Sequence, residues 1–173
     1  MRVAVVLTLA LLLQGQSGQP PKRPFALIID ALAKVSLPAS VGDDVLNELE
    51  YDRPEDVRGA MVDLNHDAHP DFIVRSANSL CGNGGCVWMI VDGATSKILG
   101  RTFGEPIYIQ AEDSHGYAAI AALSHMGAEQ NTYTTWTFDG TDYKQTSSRE
   151  VTGAAFTRLM VTLDRIPIWR IGG

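Results

Sequence analysis

Thr132-Tyr133-Thr134-Thr135-Trp136-Thr137-Phe138-Asp139-Gly140 sets how the rest of the chain is read. Trp136 and Phe138 fall on one face of an extended segment, and Tyr133, Thr135 and Thr137 on the other. That period of two, built from aromatic and β-branched residues, is the pattern of a strand in a sheet covered on one side. Asp139-Gly140 then supplies the backbone freedom a tight hairpin needs.

The same pattern recurs upstream. Strand-like runs span Val57 to Leu64, Phe72 to Ser76, Cys86 to Val91, Ile98 to Phe103, Pro106 to Gln110 and Tyr117 to Leu123, and Asp92-Gly93 breaks them as a second hairpin turn. Short runs separated by turn signals imply a mainly antiparallel meander. Before it the period changes. Phe25, Ile28, Ile29, Leu32 and Val35 recur at helical spacing, with Asp30 and Lys34 four apart on the other side, so a first helix is expected there. Pro38 ends it, and Ser40 followed by Asp43 reads as the cap of a second helix carrying Val41, Val45, Leu46 and Leu49. Phe156, Leu159, Met160 and Leu163 predict a short C-terminal helix before Ile166-Pro167. The expected class is therefore α+β: N-terminal helices packed on a mainly antiparallel sheet, in a single globular domain over residues 25–173.

The chain has 173 residues, 14 basic against 20 acidic, and 45% hydrophobic residues. This length holds one core and excludes propellers and long repeat arrays. An acid excess with no Lys/Arg run excludes a nucleic-acid partner, which requires concentrated positive charge. Met1-Arg2, the apolar stretch Val3 to Leu13 and the small polar residues that follow have the three-part layout of a secretory signal peptide. The apolar part falls well short of the roughly 20 residues that span a bilayer. Cleavage is expected after Ser17 or Gly18, making residues 1–18 the signal peptide and proline-rich 19–24 an extended leader. The mature part then has no membrane span and a periplasmic or secreted location. Export to an oxidising compartment favours pairing of Cys81 with Cys86, and the three glycines between them let the backbone turn tightly enough for the sulfurs to meet. A redox-active pair is the alternative, but its usual form has two intervening residues beside a helix start, and here four precede a strand.

The segment richest in chemistry is Asp63-Leu64-Asn65-His66-Asp67-Ala68-His69-Pro70-Asp71, between two strand-like runs. Asp63, Asn65, Asp67 and Asp71 place side-chain oxygens at positions 1, 3, 5 and 9, and His69 at position 7 offers its backbone carbonyl. A hard cation such as calcium takes six to eight oxygens, and alternate residues of a tight loop can aim them at one centre. The segment resembles the calcium loop of FG-GAP and VCBS-type repeats, Asp-x-Asn/Asp-x-Asp-Gly-x-Pro-Asp followed by apolar residues. The match covers Asp63, Leu64, Asn65, Asp67, Pro70, Asp71 and Phe72, and departs at His66 and Ala68, where glycine is usual. The resemblance implies a Ca²⁺ site. The wider arrangement, in which the acidic loop is followed by Cys81-Gly82-Asn83-Gly84-Gly85-Cys86, a strand and the later Trp136-Thr137-Phe138-Asp139-Gly140 hairpin, looks like small exported bacterial proteins, and it brings no catalytic residue. Two alternatives stand beside the Ca²⁺ site: a solvated Asx-rich turn, and a zinc or copper site using His66 and His69.

No nucleophile elbow, zincin helix, phosphate loop or dinucleotide fingerprint is present. Asp113-Ser114-His115 and Ser124-His125 contain triad residue types, but immediate neighbours cannot adopt triad geometry. Asp43, Asp44, Glu48, Glu50, Asp52, Glu55 and Asp56, with only Arg53 among them, form either a solvated helix face or a docking surface for a cationic protein partner. Basic lysozyme-like enzymes are one class of partner such a surface would suit. The leading reading is an exported, non-catalytic binding or inhibitory domain stabilised by a calcium loop and a local disulfide. An extracytoplasmic hydrolase using a bound metal or His115 and His125, and a structural envelope component, are the alternatives.

Overall fold

The computed structural model describes residues 24–127 and 130–169. The expected signal peptide and most of the leader lie outside these residues.

Among the described residues, ten strands and two α-helices follow in the order β1 (Phe25–Leu27), β2 (Ala33–Lys34), α1 (Ala39–Glu48), β3 (Arg58–Val62), β4 (Asp71–Arg75), β5 (Cys86–Val91), β6 (Ile98–Gly104), β7 (Ile107–Ser114), β8 (Tyr117–Gly127), β9 (Gln130–Phe138), β10 (Tyr143–Val151) and α2 (Gly153–Leu163). They form two five-stranded antiparallel sheets, ordered β2-β3-β4-β5-β6 and β1-β7-β8-β9-β10. Each is a meander, except that β1 joins the second sheet beside β7.

The α+β expectation is thus overturned: the described residues are mostly β, with two sheets where one was expected and, among them, no layer of N-terminal helices. Residues 25–35, read as the first helix, instead contain β1, a single 3-10 turn at Ile29–Ala31, and β2. The reason is burial on both faces. Phe25 and Leu27 enter the core between the sheets while Ala26 packs beside α2, so these three residues are apolar and buried all round and their spacing does not separate strand from helix. The second expected helix does form, starting at Ala39 with Pro38 at its cap and no side-chain capping bond from Ser40.

The main core lies between the sheets. Ile73, Trp88 and Ile90 from one sheet meet Ile107, Ile120, Trp136 and Phe138 from the other. Alternate residues Val74, Met89 and Val91 turn to the opposite face, where Val41 and Val45 of α1 and Leu49 just after it cover them. On the far side, Leu163 of α2 packs with Ala26, Tyr108 and Ala121. The central strands of both sheets are therefore covered on two faces, and stacking the sheets removes from water the apolar face a single broad sheet would expose. The chain crosses between sheets after Gly104, where a Cβ would lie 2.7 Å from that of Ala122. Only glycine permits that approach.

Candidate functional site

The β3–β4 loop (63–70), the β5–β6 turn, the β7–β8 turn and the β9–β10 turn gather at one end of the molecule. Lys97 Nζ donates to Thr141 O at 2.7 Å, tying the second of these to the fourth. Gly93 presses on the first: a Cβ there would lie 2.0 Å from Pro70 O.

Asp71 joins them. It opens β4 and alternates with Ile73 and Arg75, so its side chain turns toward the space between the sheets. It is 0% exposed, and its carboxylate accepts from Leu64 N (2.9 Å, Oδ2) and Gly93 N (2.9 Å, Oδ1). Burial pushes its carboxyl up to about 6, against the pull of those two N–H donors, with Asp92 and Asp67 adding to the rise. Across from it, Tyr117 accepts from Asn65 Nδ2 at 2.9 Å and donates to Asp92 Oδ2. Burial tends to raise Asp92, but bonds from Thr95 and Tyr117 outweigh it and hold the carboxyl below its ordinary range. Burial and Asp92 push the Tyr117 hydroxyl far up, so it stays a donor.

The remaining loop residues curl around Asp63. Its carboxylate accepts from Asp67 N (3.2 Å) and Ala68 N (3.0 Å), Asn65 Oδ1 accepts from Asp67 N (3.1 Å), and Asp67 Oδ1 accepts from His69 N (2.7 Å). His66 and Ala68 take φ of 61° and 70°, and Ala68 stands where the resembled pattern has glycine. That left-handed backbone costs a residue with a Cβ of order 1 kcal/mol each.

The structure thus brings Asp63, Asn65, Asp67, His69 and Asp71 into one loop. Their oxygens suit a hard cation, yet in this arrangement they face the loop's own N–H groups. Among the described residues no three His, Cys, Asp or Glu side chains converge in metal-holding geometry. His69 Nδ1 lies 3.4 Å from Asp67 Oδ1, and His66 shares no such cluster with it. Among the described residues no lysine or arginine comes within 4.0 Å of the carboxylates of Asp63, Asp67, Asp71 or Asp92. A cleft of about 350 Å³ opens beside the loop, with Phe25, Val62, Asp63, His66 and Asp113 in its lining.

Tyr117 and Asp92 were not in the candidate set. Asp92 was legible only as half of an Asp-Gly turn, and nothing in the sequence marks Tyr117 beyond its place at the start of a strand. His115 and His125 are both exposed and stand near opposite ends of β8, about 30 Å apart along an extended strand. His115 Nδ1 is 3.0 Å from Phe138 O, and His125 Nδ1 is 3.1 Å from Asn131 Oδ1, and among the described residues neither ring bonds a carboxylate. Cys81 and Cys86 form the disulfide. On the acidic stretch, Glu48 pairs with Arg101, and Arg53 pairs with Asp56 and Glu55. Asp43, Asp44, Glu50 and Asp52 are exposed and form no ion pair among the described residues.

No protein-family model, curated protein or solved structure matches this chain.

Proposed function

We propose that the protein is an exported, non-catalytic binding or inhibitory domain whose loop end is braced by calcium and whose acidic face, Asp43 to Asp56, receives a cationic protein. The observation that supports this reading is clustered negative charge that N–H and hydroxyl donors compensate without a paired cation. Asp63, Asp67, Asp71 and Asp92 share one end of the fold with no lysine or arginine in ion-pair reach among the described residues. Buried carboxylates are stable when a cation or several donors compensate them. Calcium fits the oxygen-only character of Asp63, Asn65, Asp67, Asp71 and the His69 carbonyl, and would supply positive charge and nothing redox-active. The exposed acids of α1 and the following turn would speed encounter with a basic surface and select for it.

A thermal melt of the chain from residue 19, in excess EDTA and again in millimolar calcium, tests the first half. Calcium at 100 times its dissociation constant adds about 2.7 kcal/mol, an upward shift of several degrees. Equal melting points at every calcium concentration would remove calcium from the reading. For the second half the probe is a basic lysozyme, titrated calorimetrically. Binding that weakens with salt and is lost in Asp43→Asn/Asp44→Asn/Asp52→Asn supports the acidic face; undiminished binding by that variant, or none by the parent, refutes it.

A further inference from the structure

At the far end of β4, Arg75 is 7% exposed, yet among the described residues no carboxylate lies within 4.0 Å of its guanidinium. Its partners are the disulfide and one amide. Nη1 donates toward Cys81 Sγ at 3.2 Å and Cys86 Sγ at 3.4 Å, and Nη2 donates to Asn78 Oδ1 at 2.9 Å. Arg75 Nε is buried with no partner among the described residues. The hydroxyl of Ser76, itself fully buried, lies 3.7 Å from Cys81 Sγ and is the only one of that pair with a hydrogen to give. The nearby acid is Glu105: Oε1 accepts from Ile29 N at 2.9 Å, while Oε2 is buried and has no partner among the described residues. Burial pushes the Glu105 carboxyl up to about 6, although the Ile29 N–H and Arg75 both pull it down. Disulfide sulfur is a weak acceptor, and a buried guanidinium is poorly compensated by it. A thiolate in the same place would be a full counter-charge.

We propose that Cys81–Cys86 is a thiol–disulfide exchange site, with Arg75 as the fixed positive charge that receives the leaving thiolate and low-molecular-weight thiols or dithiols as its redox partners. The two sulfurs are placed unequally. Cys81 is half-buried beside the exposed Gly82 and Asn83, whereas Cys86 is 1% exposed. An incoming thiolate therefore attacks Cys81 Sγ. A new S–S bond forms there, the Cys81–Cys86 bond breaks, and its electron pair stays on Cys86 Sγ beside Arg75 Nη1. A second thiolate then attacks the incoming thiol's sulfur and releases Cys81. Two thiols are oxidised to one disulfide, the protein disulfide takes up two electrons, and the protons lost by the two thiols go to the protein sulfurs or to water. Reactive cysteines depend on a neighbouring positive field, often a helix start. Here a strand follows Cys86, and the guanidinium takes the place of the helix. This inference does not depend on the calcium loop or the acidic face.

The test equilibrates the mature chain with reduced and oxidised glutathione and counts free thiols by alkylation and mass spectrometry, and separately follows the alkylation rate of the reduced protein against pH. The wild-type reduced protein is expected to show a thiol titrating at least one unit below the usual value of about 8.5. Arg75→Gln is expected to return it toward that value and to make reduction by glutathione at least tenfold less favourable; Arg75→Lys, which keeps the charge but loses the planar fork, should fall between. Thiols that titrate at or above about 8.5 in the wild type overturn the proposal, and that measurement decides the matter if Arg75→Gln does not fold. A folded Arg75→Gln with an unchanged glutathione equilibrium overturns it equally.

Discussion

The two ends of β4 hold opposite charges in opposite kinds of company. Asp71 is a buried carboxylate held by two backbone N–H groups, with two further acids raising its carboxyl and no basic side chain in ion-pair reach among the described residues. Arg75, four residues on and about 13 Å away along the strand, is a buried guanidinium held by sulfur and an amide. Both point between the sheets, and neither neutralises the other at that distance. At the loop end the charge is matched by hard N–H dipoles in a position a hard cation could share. At the disulfide end it rests on soft, polarisable sulfur. One strand thus carries two sites of different chemistry, because alternation puts its first, third and fifth residues on the same buried face.

Asp71→Ala sharpens this contrast most. It leaves the Leu64 and Gly93 N–H groups without their acceptor, and a loss of about 3 to 5 kcal/mol in urea unfolding is expected. A loss below about 1 kcal/mol would show that the loop end does not hang on this residue. The pH dependence ranks next. Asp71 and Glu105 have folded-state values raised to about 6, from ordinary values of 3.8 and 4.5. Between those limits the folded state binds more protons than the unfolded one, so stability falls as pH rises through that window. The loss should be at most about 2 to 3 kcal/mol per group in EDTA, and Glu105→Gln should flatten the slope without removing it.

Two smaller effects separate the ends further. Cys81→Ser opens a ring of only six residues, for which chain entropy gives about 2 kcal/mol, so the variant is expected to fold with a modestly lower melting point. Ala68→Gly relieves a left-handed backbone at φ 70° and should raise stability by about 1 kcal/mol, read from the urea midpoint. A variant less stable than the parent would mean that the conformation costs less there than the entropy glycine adds to the unfolded chain.

The strands were legible where alternation or an apolar run met a turn signal: Cys86 to Val91 forms a strand with those bounds, and both Asp-Gly pairs sit between paired strands. So was the pairing of Cys81 with Cys86, since three glycines leave the sulfurs within reach. Phe25–Leu27 was not legible, because a segment buried on both faces has no polar side to set its period. Nor was β10: from Lys144 to Glu150 its side chains are exposed and polar, and it is a strand because β9 offers it an edge.

By itself the sequence determined the local elements: turns, alternating strands, the helix at Ala39–Glu48, the acidic loop and the cysteine staple. All depend on neighbours a few residues apart. Tertiary structure alone decided that the meander breaks after Gly104 into two stacked sheets, that Tyr117 and Asp92 join the acidic loop, and that Arg75 meets the disulfide. Each of these turns on which buried faces meet, and hydrophobic burial is non-directional, so local spacing carries no record of the partner.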